Sequence, residues 1–310
     1  MPQHVLQNLS EAGHLDSASG MSSPLNSALR LATKLLPKSN SAKAFDAARA
    51  NKTGLSKALD VTLRTDHDMR VFGLGFMASL SSADVYRHFM QQHYFFYRAM
   101  EQQFDACVEQ REASPMSQVW QQYATDLRRS DALLADLQAV AVSPHAPEGS
   151  PSPATAAYVS RIESIGVNAA AGGPGGAGQS DQKDQSHRLL GHFYCRYFAD
   201  MFGGSVLGSP TRMAVRLPET PAFYQFPGVF EPDRATYINQ VYARINEHGG
   251  VLSEEQQAEV VDEAKMAFAL NAGVYKEPHS SLALPAVIGT AQVCLGAVRE
   301  LVVGRPSVTA

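Results

Sequence analysis

Residues 192–207 read His-Phe-Tyr-Cys-Arg-Tyr-Phe-Ala-Asp-Met-Phe-Gly-Gly-Ser-Val-Leu, a run with the content of a buried helix and two adjacent glycines inside it. Each glycine within a helix costs roughly 1 kcal/mol relative to alanine, so the pair opposes an otherwise favourable segment. A helix retains such a pair where it must bend, where another helix packs closely, or where a bulky group approaches its backbone. Arg196 and Asp200 lie one turn apart just before Gly203 and Gly204. On an exposed face they would form an ordinary i,i+4 pair contributing about 0.2–0.5 kcal/mol. Beside bare backbone they point instead to a flat ligand lying against the helix, with polar chemistry next to it.

The rest of the chain reads as helix. Leu59, Leu63, His67 and Val71 recur every four residues and share one stripe. Ser82 or Asp84 can cap a helix over 82–109, to which Tyr86, Phe89, Tyr94, Tyr97 and Met100 lend bulk. Further helices are expected over 118–140 and 154–165, across the proline-rich loop 143–153. The glycine-interrupted helix should stop at Gly208 and Pro210. Ser253-Glu-Glu-Gln256 is a capping-box pattern opening a last long helix through Val260, Ala264, Ala267 and Asn271. β-type alternation is scarce and no internal repeat is present. The expectation is one all-α domain over 55–277.

Three segments stand apart. Residues 169–185 are dominated by Gly, Ala, Ser and Gln, too little apolar area to offset ordering, which predicts a flexible insertion. Residues 1–54 form a leader whose stretch 21–45 is Ser-, Ala- and Leu-rich, basic and free of acid, as in an organelle transit segment or a disordered basic arm. The first twenty residues are polar, so secretion is not expected; the location inferred is intracellular, cytoplasmic or organellar. Residues 278–310 form an apolar C-terminal tail. Its stretch 282–298 is uncharged but interrupted by Pro285 and Gln292, and falls short of the roughly 20 apolar residues of a confident span. It is read as an amphipathic or buried segment with at most weak membrane association. A net charge of -4 gives no electrostatic case for nucleic acid. Cys107, Cys195 and Cys294, odd in number and scattered, read as reduced thiols.

A buried imidazole at 67 usually just finds a hydrogen-bond partner. The sharper reading is an axial ligand to heme iron, the apolar stripe lining one wall of a slot and the glycine helix the other. Here the motifs carry a resemblance. Tyr194-x-Arg-Tyr-x-x-Asp-x-x-Gly-Gly-x-Val-Leu207 resembles the distal-helix signature of heme oxygenases. Leu55-Ser-x-Ala-Leu followed eight residues later by His67 is similar to the family's first helix. Ala222-Phe-Tyr-Gln-Phe-Pro227 and 260–271, with Glu263-Ala-Lys-x-Ala-Phe268, resemble its late helices, and all four blocks keep their order.

The resemblance implies a heme-oxygenase-like multi-helix domain holding heme b between a proximal and a distal helix. It implies His67 as the proximal iron ligand, and Gly203 and Gly204 as distal glycines that let backbone lie close to the macrocycle. Asp200 would order water and help deliver a proton, with Arg196 supporting that network. Tyr194 would reach a propionate, and Phe268 and Asn271 would flank the pocket. Heme serves as substrate and as the group that activates O2. No nucleotide-binding glycine loop is present, so electrons would come from an NADPH reductase or a ferredoxin. A monomer is expected.

The chain departs from the pattern at several points. Ala199 stands where the family usually has glycine, and Phe202 where it has a small polar residue. Asp60 occupies the position of a propionate lysine, leaving Lys57, Arg64 and Arg244 as the nearby cations. These departures sustain an alternative: a non-catalytic heme-binding or heme-sensing protein on the same fold.

Overall fold

A computed structural model describes residues 53–66, 69–140, 149–166, 184–229 and 234–305; among them there is helix and no strand. The helices are α1 (Gly54–Asp66), α2 (Met69–Ser79), α3 (Ala83–Gln110), α4 (Pro115–Leu127), α5 (Ser130–Val140) and α6 (Pro153–Ile165). They continue with α7 (Leu189–Phe193), two π-helical turns at Tyr194–Phe198 and Asp200–Gly204, α8 (Ser205–Val215), α9 (Arg234–Gly249), α10 (Glu254–Lys276) and α11 (Ala283–Val303). The all-α expectation therefore holds. His67 and nearly all of the 169–185 segment lie outside the described residues, as does the leader up to 52.

Local chemistry sets several ends. Ser82 caps α3 through the Val85 amide. At the start of α10 both bonds of the capping box form, Ser253 with the Gln256 amide and Gln256 with the Ser253 amide.

Two boundaries differ from expectation. The helix expected over 118–140 is two helices, broken at Arg128 and Arg129. The break comes from distant residues. The buried Glu101 carboxylate on α3 accepts the amides of Arg129 (2.6 Å) and Ser130 (3.2 Å), satisfying donors that a new helix start leaves free. The guanidinium of Arg129 donates to the carbonyl of Gln225 at 2.6 Å. The helix expected to stop at Gly208 runs on through Pro210 to Val215. Its neighbours hold it: a Cβ at Gly208 would lie 2.5 Å from Thr220 and 3.0 Å from the Tyr224 Cβ, so this turn is packed against 220–224.

Around α3 the core is aromatic. Phe104, Trp120, Phe193 and Tyr197 contact one another edge-on or stacked, with centroids 5.1–6.4 Å apart, tying α3, α4 and the interrupted helix together. At Gly191 a side chain would meet the backbone of Ala264 and Val260 at 2.8 Å, so the interrupted helix touches α10 backbone to backbone. The C-terminal stretch set apart as a tail forms α11, which packs on α2 and α8: a Cβ at Gly289 would fall 1.7 Å from the Met77 carbonyl, and one at Gly296 2.2 Å from that of Met213. The bidentate pair of Arg212 and Glu300 adds a charged clasp.

Candidate functional site

The run from Leu189 to Phe202 is buried at every position but one. The exception is Ala199, the single α-helical residue between the two π turns. Val206 and Leu207, two turns on, are also only partly covered. The helix thus sits in the core with one apolar stripe partly open, and Gly203, at helical spacing from Ala199, falls within the second π turn. Single π turns inside helices are frequent at functional sites. On α1, Leu63 is likewise half-covered, whereas Leu59 is fully buried.

Beneath the open stripe lies a polar cluster sealed from water. Tyr97 on α3 donates its hydroxyl hydrogen to the Asp200 carboxylate. Arg196 donates to the Tyr97 oxygen through Nε (3.1 Å) and Nη2 (3.0 Å), and its Nη2 stands 3.8 Å from Asp200 Oδ1. The guanidinium lies over the rings of Phe96 and Tyr97, 5.3 and 5.2 Å from their centroids. Burial pushes the Asp200 carboxyl above its ordinary range; Arg196, the Tyr97 bond and Arg129 pull against that without reversing it. Asp200 is therefore a carboxyl that takes up a proton more readily than an exposed aspartate.

Next to this cluster His93 is buried among Phe89, Phe96, Tyr97 and Tyr275. Its Nδ1 pairs with the Phe89 carbonyl at 2.8 Å, and its Nε2 has no partner among the described residues. Burial, and then Arg196, hold its pKa well below the usual value, so the ring is neutral and Nε2 is a bare acceptor. Asn271 on α10 similarly keeps a buried Oδ1 without a hydrogen bond among the described residues. Buried polar atoms of this kind call for water or a ligand.

The remaining expected residues divide. Phe268 is buried on α10. Tyr194, expected to reach a carboxylate of a ligand, gives its hydroxyl to the protein's own buried Asp60, which also accepts from Tyr242 on α9 at 2.9 Å. The position where a propionate cation was sought thus carries an acid bound by two tyrosines. Phe198 stacks between Tyr194 and Tyr242, and Phe202 packs inward on Phe198. Lys57 is exposed on α1. Arg244 pairs with Glu247 at 2.6 Å on the exposed side of α9, and is not brought to Tyr194. Of Arg64 only the backbone, within α1, is described.

Sequence reasoning passed over several groups. Tyr97 read as one more bulky aromatic of α3. Glu101, one turn on, is the acceptor for the Tyr197 hydroxyl at 3.0 Å. At the other end of α7, His192 Nε2 lies 3.0 Å from Glu263, which also receives Arg161 (Nε, 2.9 Å). A His four residues before Arg196, and a Glu at the head of the Ala-Lys motif, are signals only in hindsight.

The partly open stripe and the buried acid beside it fit a largely apolar group lying against the helix, with a proton exchanged at Asp200. At the other end, the carboxylate of Asp60 is met by the hydroxyls of Tyr194 and Tyr242.

Comparison with known proteins agrees. The family model described as heme oxygenase matches residues 34–173 and 176–277. Heme oxygenase 2 of Rattus norvegicus is 27% identical over 241 residues, 77% of this chain and 68% of that protein. A heme oxygenase of Guillardia theta is 26% identical over 208 residues, 66% and 77% respectively. Among solved structures, heme oxygenase-1 of Synechocystis in complex with heme shares 25% identity at a TM-score of 0.58, over 74% of this chain and 94% of that one. Heme oxygenase 2 of Chlamydomonas reinhardtii, at 21% identity and a TM-score of 0.60 over 72% and 97%, shares the fold.

Proposed function

Because the chain belongs to the heme oxygenase family, we propose that it opens the heme macrocycle oxidatively, giving biliverdin, carbon monoxide and ferrous iron, with O2 and with electrons from a separate reductase or ferredoxin. The observation that carries this reading is the buried Arg196–Tyr97–Asp200 cluster beneath the open stripe at Ala199. When bound, heme supplies the iron that activates oxygen. The chain's own residues supply the rest. His67 would hold the iron from the α1 side. The stripe of Ala199, Gly203, Val206 and Leu207 would lie against the ring and exclude bulk water. Asp200, its pKa raised by burial, would hold a proton and order water at its carboxyl, while Arg196 and Tyr97 fix its orientation.

Two observations favour a second reading, a heme-binding protein without turnover: Tyr194 is committed to the protein's own Asp60, and the Ala199 methyl intrudes on the stripe. One experiment separates the two. Purified protein is titrated with hemin, then given ascorbate in air and followed by absorption. A bilin band growing as the Soret band decays is the expected result; heme bleached without bilin would leave only the second reading. His67→Ala is expected to shift the Soret band and abolish bilin formation. An unchanged spectrum in that variant would remove His67 from the iron.

A further inference from the structure

Three aromatic rings, each able to give up an electron, run in contact from the polar cluster towards the surface. Tyr97, at the cluster, meets Tyr197 edge-on with centroids 5.7 Å apart. Tyr197 in turn meets Trp120, the chain's one tryptophan, at 5.7 Å. Trp120 is buried, yet its indole N–H donates to Asp105 at 2.8 Å. The Asp105 side chain is 41% exposed and is held by Arg128. Ring-to-ring contact thus links a sealed interior to a carboxylate that meets solvent.

Each ring also has a base for its proton. Tyr97 donates to Asp200, Tyr197 to Glu101 at 3.0 Å, and Trp120 to Asp105. A phenol or indole that has lost an electron is a far stronger acid than its parent, so a carboxylate in hydrogen-bond contact makes the loss easier. Packing asks for nothing of the kind: most side-chain hydrogen bonds go to backbone or water, and a buried carboxylate is costly. Asp200 and Glu101 are both buried. Burial raises both carboxyls, and it holds the hydroxyls of Tyr97 and Tyr197 well above their ordinary value. At rest the phenols therefore keep their protons, and the carboxyls take them readily once a ring is oxidised.

We propose that Tyr97, Tyr197 and Trp120 form a one-electron route that drains surplus oxidising equivalents from the site to a reductant at the Trp120–Asp105 surface. Peroxide acting at bound heme takes one electron from Tyr97, whose proton passes to Asp200. Tyr197 refills Tyr97 and gives its proton to Glu101, while Asp200 returns the first proton. Trp120 refills Tyr197 and gives its proton to Asp105, while Glu101 returns the second. A solution reductant of the ascorbate class then supplies one electron to Trp120, and Asp105 returns the last proton. Every ring ends as it began, and one oxidising equivalent has left the interior. The supply of oxidant rests on the heme reading; the ring contacts and the transfer between them do not.

Two experiments test it, the first without heme. Azide radicals made by pulse radiolysis oxidise the tryptophan of the full-length protein. The indolyl absorption is expected to decay as phenoxyl absorption grows, at a rate independent of protein concentration. Tyr197→Phe keeps a ring in the core and should lose that growth; growth at the wild-type rate would overturn the route. In the second experiment hemin-loaded protein is given hydrogen peroxide and frozen for electron paramagnetic resonance. The wild-type radical is expected at Trp120 and should vanish with ascorbate. Tyr197→Phe should hold the radical on Tyr97 and bleach its heme faster. Trp120→Phe should lose the ascorbate protection of the heme, and Trp120→Tyr, which keeps an oxidisable ring, should restore it. Identical spectra and bleaching in the wild-type and Trp120→Phe proteins would overturn the outer step. Transfer in the first experiment from a protein that binds no hemin would support the route and refute the heme reading. No transfer from a protein that forms bilin would overturn the route alone.

Discussion

Asp200→Asn is expected to lower bilin yield from bound heme roughly a hundredfold to ten-thousandfold, the range for loss of a positioned acid–base group. The substitution keeps the shape of the side chain and a hydrogen-bonding oxygen for Tyr97, but it cannot carry a dissociable proton. Heme binding and the Soret position should change little, because the residue's carboxyl is engaged by Tyr97 and Arg196 and not by an iron ligand. Single-turnover yield with ascorbate measures it. Tyr97→Phe is the partner experiment: it removes the oxygen that receives both Arg196 bonds, so the guanidinium loses its tether and the yield should fall less steeply. Undiminished yield in the Asn variant would show that the proton reaches the site by another route. Since burial raises the Asp200 carboxyl, a wild-type rate that needs its proton should fall as pH rises through a value above the usual carboxylate range, and that fall should be absent in the variant.

The second large effect concerns stability. Glu263 is buried between His192 of α7 and Arg161 of α6, with Arg188 close by at 3.9 Å. Glu263→Ala should destabilise the fold by about 3 kcal/mol, since it leaves the half-buried Arg161 and the buried His192 without their shared carboxylate. For a domain of this size that is a fall of about 10 °C in Tm, readable by calorimetry. Burial alone would raise the carboxyl; the bonds from His192 and Arg161 outweigh it and bring it down from 4.5 to about 2. A carboxylate held down in the folded state stabilises the fold fully above its unfolded value. That contribution, about 3 kcal/mol, is lost as pH falls from about 4.5 towards 2. Glu263→Gln should therefore flatten the acid limb of the stability curve between those values. An acid limb as steep as that of the wild-type protein would shift the effect to other carboxylates.

Much of the fold is written in short-range patterns. Ser82 and Ser253 announce helix starts because their caps are made within three residues. The break at Arg128–Arg129 carries no such mark, because it is made by Glu101, twenty-eight residues back in sequence from Arg129. Pro210 misleads for the same reason: packing of Gly208 against 220–224 keeps the helix going where local preference would end it. Within the site, Arg196 and Asp200 stand out because motif and spacing agree. Tyr97 does not, since an aromatic at helical spacing among Tyr86, Phe89 and Tyr94 reads as core whether or not its hydroxyl is used. Asp60 is the harder case. An acid on α1 gives no hint that hydroxyls 134 and 182 residues away, on Tyr194 and Tyr242, will solvate it in the interior.

The paired π turns also fix something no single side chain does. A π turn holds an extra residue that an α-helix of the same rise would not, and in an α-helix each residue advances the phase by about 100°. Removing one residue within either turn would let it revert to α while the helix beyond keeps its facing, because the wider turn is what absorbs the extra residue. α8 would keep its neighbours, whereas the residues inside the turn would be dealt out afresh around the helix, and with them the positions that face the site. The number of residues in this stretch is thus as much a constraint on the site as their identity.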